Sequence, residues 1–318
     1  MIVTVTPNPV LDRTLTVPRI LFDEVTRATE VRLDWGGKGF NVSRALKALG
    51  VESTAMGFVG GATGQMLERG LQELGIATEF VHIAGETRSN IIVREAQSAR
   101  YIKVNEAGPT VQADEVQRFL KQAAGRARQG DIWVLAGSLP PGVPADFYAR
   151  LIALLRERGA KAFLDTSGEP LRLGCAARPT LVKPNALEAA QVTGREIASQ
   201  AEAFDAVARL LDLGIEMVAL SLGGDGLLLA SSEEAVWARP PAVAVRNPTG
   251  AGDALLAGII WALGQGLALE DVARWGVAAG TASAMGEGVS VGTRAEVEAL
   301  YKGVGIERNR QIGRLVDW

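Results

Sequence analysis

The chain has 318 residues, 47% apolar and 22% charged, enough for one large α/β domain with an appendage or for two domains. A formal net charge of −3 leaves no basic footprint, which argues against nucleic acid and anionic membrane as partners and requires any anion site to be a local cluster of donors. One cysteine, Cys175, and one histidine, His82, exclude a disulfide framework within the chain, a His-based triad and a multi-His metal site.

Ile2–Thr6 is a first strand that runs into TPNPVLD; it lacks the basic region and long apolar core of a signal peptide, and a cytoplasmic location is expected. After WGGKGFN, the apolar residues Val42, Ala45, Leu46 and Leu49 fall at helical spacing and Gly50 stops the helix. A strand is predicted at Thr54–Val59 and a helix at Met66–Leu74. Further strands are predicted at Asp131–Ala136, Ala162–Asp165, Leu181–Lys183 and Glu216–Ser221, and helices at Asp146–Arg158, Gly252–Leu263 and Leu269–Met285. This alternation predicts an α/β fold: three layers, α/β/α, with a mostly parallel central sheet.

Leu15–Asp34 and Glu86–Val104 break the rhythm with short alternating β segments. They predict a small separate β-sheet acting as a lid over the carboxyl edge of the main sheet, where open α/β folds bind ligands. The expected organisation is a main nucleotide- and substrate-binding domain at 1–11, 35–85 and 105–306, a discontinuous lid at 12–34 and 86–104, and a weakly ordered polar tail at 307–318.

Asn247–Gly258, NPTGAGDALLAG, is the most informative segment. A glycine-containing turn leads into an apolar helix, whose first amides have no partner within the helix and whose dipole favours negative charge. Gly250, Ala251, Gly252 and Asp253 are expected to form an anion hole from their N–H groups. Asp253 is either a simple helix cap or the base that takes the proton from an attacking hydroxyl, and the two glycines favour the base. The positive helix end is expected to keep it ionised. No GxxxxGK[ST] sequence occurs, and no GxGxxG follows the first strand, which argues against a P-loop NTPase and a dinucleotide-binding dehydrogenase.

Other candidates divide between two ligands. On the sugar side, Gly37, Lys38 and Asn41 lie in a second glycine turn before a helix, and Asp12 follows the first strand. Arg88 and Asn90 lie in GETRSN; Lys103 and Ser138 complete a candidate phosphate pocket. Each has an ordinary alternative as a turn or surface residue. On the nucleotide side, Lys183 could reach phosphate, and Asn185 and Glu188 could organise water around Mg²⁺ or form a capping box. Ser221, Gly223 and Gly226 in SLGGDG suit a nucleotide phosphate or a tight turn.

Together, GGKGFNVSRALKALG, KPNALE and NPTGAGDALLAG resemble the signatures of the ribokinase-type or PfkB carbohydrate kinase family. TPNPVLD, GETRSN, LAGSLPPG and VKPN resemble its phosphosugar branch, which takes in 1-phosphofructokinase and tagatose-6-phosphate kinase. The resemblance implies a ribokinase-like fold, Asp253 as base, and Asp12, Gly37, Lys38, Asn41 and Arg88 at the sugar phosphate. It implies Lys183, Asn185, Glu188, Ser221, Gly223 and Gly226 toward MgATP, and a lid that mediates a homodimer. The expected activity is ATP-dependent phosphorylation of a ketohexose monophosphate. Fructose 1-phosphate is the first choice, with tagatose 6-phosphate or fructose 6-phosphate behind it. A non-catalytic sugar or nucleotide sensor on the same fold would require a damaged base or anion hole.

Overall fold

The computed structural model describes residues 1–98, 100–286 and 290–309. In chain order the first part contains β1 (Ile2–Thr6), β2 (Val10–Val17), β3 (Glu30–Gly36), α1 (Lys38–Ala48), β4 (Thr54–Val59), α2 (Gly61–Glu73), β5 (Ala77–Thr78), β6 (Val81–His82), β7 (Arg88–Glu95) and β8 (Tyr101–Val104). The middle adds α3 (Ala113–Arg126), β9 (Ile132–Ala136), α4 (Phe147–Glu157), β10 (Lys161–Asp165), α5 (Gly168–Ala176), β11 (Leu181–Val182), α6 (Ala186–Thr193) and α7 (Gln200–Asp212). The last part holds β12 (Met217–Ser221), β13 (Leu227–Ser231), β14 (Ala235–Arg239), α8 (Ala251–Gly264), α9 (Leu269–Met285), α10 (Arg294–Tyr301) and β15 (Gly305–Asn309).

The main sheet runs in the order β15-β14-β13-β12-β11-β10-β9-β1-β4-β5, with β6 also on β4. From β5 to β12 neighbouring strands are parallel, whereas β12, β13, β14 and β15 pair antiparallel. The segment expected as a polar tail therefore begins inside the sheet, with Glu307 opposite Trp237 and Arg308 opposite Val236; residues 310–318 lie outside the described residues.

Alternation along the strands sends side chains to both faces, and each face is covered. Trp133 and Leu135 of β9 join Phe119, Phe147, Leu151 and Leu155 in one core. Val134 and Ala136 of the same strand join Val42, Leu46, Leu256 and Ile260 in the other. α8 is apolar on nearly every side and is buried from Asp253 through Ile260, which fits a helix packed by α1 and α9.

The second sheet has the order β3-β2-β7-β8. β2 pairs antiparallel with β3 and parallel with β7, and β7 pairs antiparallel with β8. Directly opposed residues share a face. One face carries Val31, Leu15, Val93 and Ile102 in a row across the four strands, and Leu33, Arg13, Ile91 and Val104 in the next. Val31 and Val104 are more than half exposed. The opposite face carries Asp12, Asp34 and Asn90 opposite one another, then Thr14, Arg32, Ile92 and Lys103.

Candidate active site

Every parallel strand near the middle of the main sheet delivers a polar residue at its carboxyl end. β1 is followed by Asn8, β9 by Ser138 and β11 by Lys183, while Asp165 ends β10 and Ser221 ends β12. β1 leads by way of the small sheet and α1 to β4 on one side, and the chain later returns to β9 on the other. That reversal is where an open α/β sheet leaves a crevice for ligands. A cavity of about 270 Å³ lies there, lined by Thr6, Asn8, Lys38, Arg88 and Ser138, with Gly37, Gly137, Thr166 and Ser167 completing it.

Two helices begin at this crevice. Gly37 caps α1 with φ 141°, and a side chain there would strike Thr6, its Cβ only 2.5 Å from Cγ2. Gly250 caps α8 in the left-handed region, with φ 86° and no side-chain cap. The third helical residue of α8 is Asp253, buried at 6% exposure. Its Oδ2 accepts a hydrogen bond of 2.8 Å from Asn41 Nδ2 on α1. Asp253 is therefore not the cap of its helix; the carboxylate leans across to the other helix start.

Burial pushes the Asp253 carboxyl up to about 6, and the negative charge of Asp165 adds to the rise. Asn41, Lys38 and Lys183 act in the opposite sense. The helix end expected to keep Asp253 ionised does not prevent this rise, whose largest cause is desolvation by burial. The group is still mostly ionised at pH 7 to 8.

The anion hole is also smaller than expected. The N–H of Ala251 donates to Pro248 O at 3.1 Å and that of Asp253 to Gly250 O at 3.0 Å. Both amides are spent on closing their own turn, which leaves Gly250 and Gly252 as the donors of that loop. A cation supplements them: a Cβ built on Gly252 would lie 3.4 Å from Lys183 Nζ, so the ammonium sits against the turn.

Asp165, which the sequence did not single out, organises the centre. It is fully buried, with Oδ1 2.9 Å from Lys38 Nζ and Oδ2 3.1 Å from Lys183 Nζ. Lys38 is thus not a free surface cation, and its ammonium is held charged chiefly by Asp165 against the cost of burial. The two lysines likewise hold the Asp165 carboxyl below its ordinary range.

The remaining sugar-side residues fall into two groups. Arg88 and Ser138 join Lys38 at the crevice; Arg88 also donates to Asn8 O at 3.0 Å and Glu106 O at 2.9 Å, which fixes its guanidinium, and its Nε is buried with no partner. Asp12 and Lys103 line a larger cavity of about 760 Å³ between the polar face of the small sheet and the loop at Arg246–Thr249. Asn90 lies beside Asp12 and donates to its Oδ1 at 2.8 Å. Burial raises the Asp12 carboxyl, partly offset by Asn90 and Lys103.

On the nucleotide side, a cavity of about 580 Å³ is lined by Asn185, Leu187, Ser221, Gly223, Trp237 and Arg239, among others. Asn185 and Glu188 form a reciprocal capping box: Asn185 Oδ1 accepts from Glu188 N and Glu188 Oε2 from Asn185 N, each at 2.9 Å. Gly226 does not line this cavity. Its φ is 94°, and a Cβ there would lie 2.0 Å from Ala238 O, so the β12–β13 turn itself requires glycine. Among the described residues no three acidic, His or Cys side chains gather as a metal cluster. The set still fits Mg²⁺ held largely through water, which needs only one or two carboxylates beside substrate phosphates, because the capping box uses one oxygen of Glu188 and not the other.

The chain as a whole is similar to proteins of known kind. The family model for pfkB family carbohydrate kinases matches residues 7–295. A 1-phosphofructokinase of Bacillus subtilis (strain 168) is 36% identical over 97% of this chain and all of its own length. One from Vibrio cholerae is 33% identical over 95% of each. The crystal structure of phosphofructokinase-2 from Escherichia coli in complex with potassium superposes with a TM-score of 0.90 at 31% identity, covering 95% of this chain and 98% of the other. With its ribokinase-like fold and its two glycine-capped helix starts facing one buried aspartate, the chain belongs to the pfkB family and is an ATP-dependent carbohydrate kinase.

Proposed function

We propose that this kinase transfers the γ-phosphoryl group of ATP to the free primary hydroxyl of a ketohexose monophosphate, with fructose 1-phosphate as the substrate and fructose 1,6-bisphosphate as the product. The observation that carries the reading is the Asp253 carboxylate, buried at the start of α8 and faced by the lysines that Asp165 holds. The names of the relatives, both 1-phosphofructokinases at 33% identity or more over nearly the whole chain, support the choice of sugar.

In this reading the sugar's existing phosphate lies in the crevice among Lys38, Arg88 and Ser138, and Asp12 with Asn90 receives ring hydroxyls. ATP extends from the cavity at Asn185, Ser221 and Gly223 toward Lys183 and the amides of Gly250 and Gly252. Asp253 accepts the proton as the hydroxyl oxygen attacks the γ-phosphorus, and the bond to the β–γ bridging oxygen breaks to release ADP. Charge that spreads over the equatorial oxygens meets two amides and two ammonium groups in a site shielded from water. Asn185 and Glu188 would hold Mg²⁺ through water, and the ion would supply charge neutralisation at the phosphates.

The polar face of the small sheet borders the larger cavity. That placement supports a lid role in excluding water from the phosphoryl group, with β2 and β3 reaching two residues beyond the expected 12–34 at each end. The sheet's outer face, with Val31, Leu33, Ile102 and Val104 exposed, supports pairing with a second copy. Among the described residues no helix is long and apolar enough to cross a membrane, and we place the enzyme in the cytoplasm.

A coupled ADP-release assay across phosphorylated and free ketohexoses tests the substrate. The highest kcat/KM is expected for fructose 1-phosphate. A preference for fructose 6-phosphate, tagatose 6-phosphate or a free sugar would reject it.

A further inference from the structure

Asp165 sits at the end of β10, fully out of contact with water. A carboxylate in such a place is costly unless it is paired, and pairing with a single cation would suffice. Here each oxygen takes a different lysine. Oδ1 accepts a hydrogen bond from Lys38, the first residue of α1 on the sugar side; Oδ2 is in ion-pair contact with Lys183, just after β11 on the nucleotide side and itself only 4% exposed. The first of these lysines lines the crevice, and the ammonium of the second stands against Gly252. The two cations, one at the crevice and one at the α8 start, are thus held by one planar group.

We propose that Asp165 is a positioning residue for phosphoryl transfer, one carboxylate that fixes the separation between a sugar-side and a nucleotide-side ammonium. It touches neither substrate in this arrangement and acts through the lysines. A long lysine stem has several rotatable bonds, and only a partner at its tip holds the charge where phosphate oxygens will arrive. The inference rests on reading Asp253 as the base.

The position of Asp165 has a second consequence that can be measured. After burial, its charge is the largest cause raising the Asp253 carboxyl, and the other groups acting on Asp253 are Asn41, Lys38 and Lys183. Removing the charge of Asp165 lowers Asp253 directly, and it leaves the two ammonium groups less neutralised, which acts in the same direction. A base that must be ionised loses activity as pH falls through its own pKa. The wild-type kcat/KM should therefore decline below about pH 6 and retain about one tenth of its plateau one pH unit lower. In D165N the decline moves to lower pH, so the ratio of activity at pH 5 to that at pH 8 rises several-fold.

The test is a pH series of kcat/KM for both substrates with wild type, D165N, D165E and D253N. D165N is expected to raise KM for ATP and for the sugar phosphate by about tenfold each and to shift the acid decline downward. D165E is expected to raise both KM values while leaving the decline where wild type has it. An acid decline that stays in place in D165N overturns the inference. If D165N does not fold, D165E decides: raised KM values for both substrates support the assignment, and unchanged values overturn it. If neither variant folds, Asp165 holds the fold rather than the ligands and the assignment falls. Near-normal turnover by D253N would instead remove the base reading itself, an outcome separate from any result at position 165.

Discussion

Replacing Asp253 with Asn tests catalysis and burial in one variant, and the two effects have opposite signs. The asparagine keeps the size of the side chain and can still accept from Asn41 Nδ2 through its amide oxygen. What is lost is a charge in a buried setting. A carboxyl moved from its ordinary 3.8 to about 6 is destabilising when ionised, by about 3 kcal/mol. The native protein binds this proton more readily than the unfolded chain does. Stability from this group is therefore greatest below about pH 4 and declines as pH rises to about 6, then stays level. Urea unfolding should find D253N more stable than wild type at pH 8 by up to about 3 kcal/mol, with the gap closing toward pH 4. Turnover should meanwhile fall by about 10² to 10⁴ if the group is the general base. Parallel stability curves for the two proteins across pH 4 to 8 would refute the desolvation argument. A kcat within tenfold of wild type would refute the assignment of the base.

Four smaller perturbations probe the surroundings. Arg88→Ala, at a residue fixed by two backbone carbonyls and lining the crevice, should raise KM for the sugar phosphate by about 10- to 100-fold with little change in KM for ATP, as steady-state kinetics would read directly. Glu188→Ala opens the capping box of α6; it should cost about 1 kcal/mol in denaturant unfolding and raise the Mg²⁺ concentration needed for half-maximal rate. Gly70→Ala would put a Cβ 2.0 Å from the Trp35 ring at the base of the small sheet, costing about 1–3 kcal/mol by overpacking and raising the sugar KM, because Trp35 lies three residues before Lys38. Val104→Lys introduces a charge on the outer apolar face; sedimentation should show a wild-type dimer and a monomeric variant, and an unchanged association state would remove that face from the interface.

The elements that begin at glycine turns were legible because their signals are local. Leu269–Met285 is predicted and found with the same ends, and the strands at Thr54–Val59 and near Asp131–Ala136 differ by no more than one residue. The antiparallel end of the sheet was not drawn. β13 and β14 are joined by a short SSEE turn, and β15 looks polar because it is an edge strand; its pairing with β14 is made across the whole of α8, α9 and α10. Asn185 and Glu188 left a cap and a metal role open, and the geometry realises the cap while leaving one Glu188 oxygen for the other. Gly226 illustrates the opposite case: a glycine that suited a ligand is required by the backbone of Ala238.

Asp165 was illegible for a physical reason. An aspartate ending a strand before TSG has the appearance of any turn residue, and its two lysines stand 127 positions before it and 18 after it. Only the parallel sheet, which brings the ends of β10 and β11 side by side, makes them neighbours. The resulting centre contains two aspartates and two lysines and is close to neutral by itself. That balance matters in a chain with a net charge of −3 that must receive two phosphorylated substrates. Free lysines in such a pocket would be expensive to bury, and aspartates alone would repel phosphate. Asp165 and Asp253 can stay buried in the empty enzyme with the two ammonium groups near them, while the Lys38 side chain keeps 39% of its surface exposed. An arriving phosphate then finds ammonium groups already in position and the positive ends of two helices near the crevice, so attraction of the anion needs no rearrangement of charge.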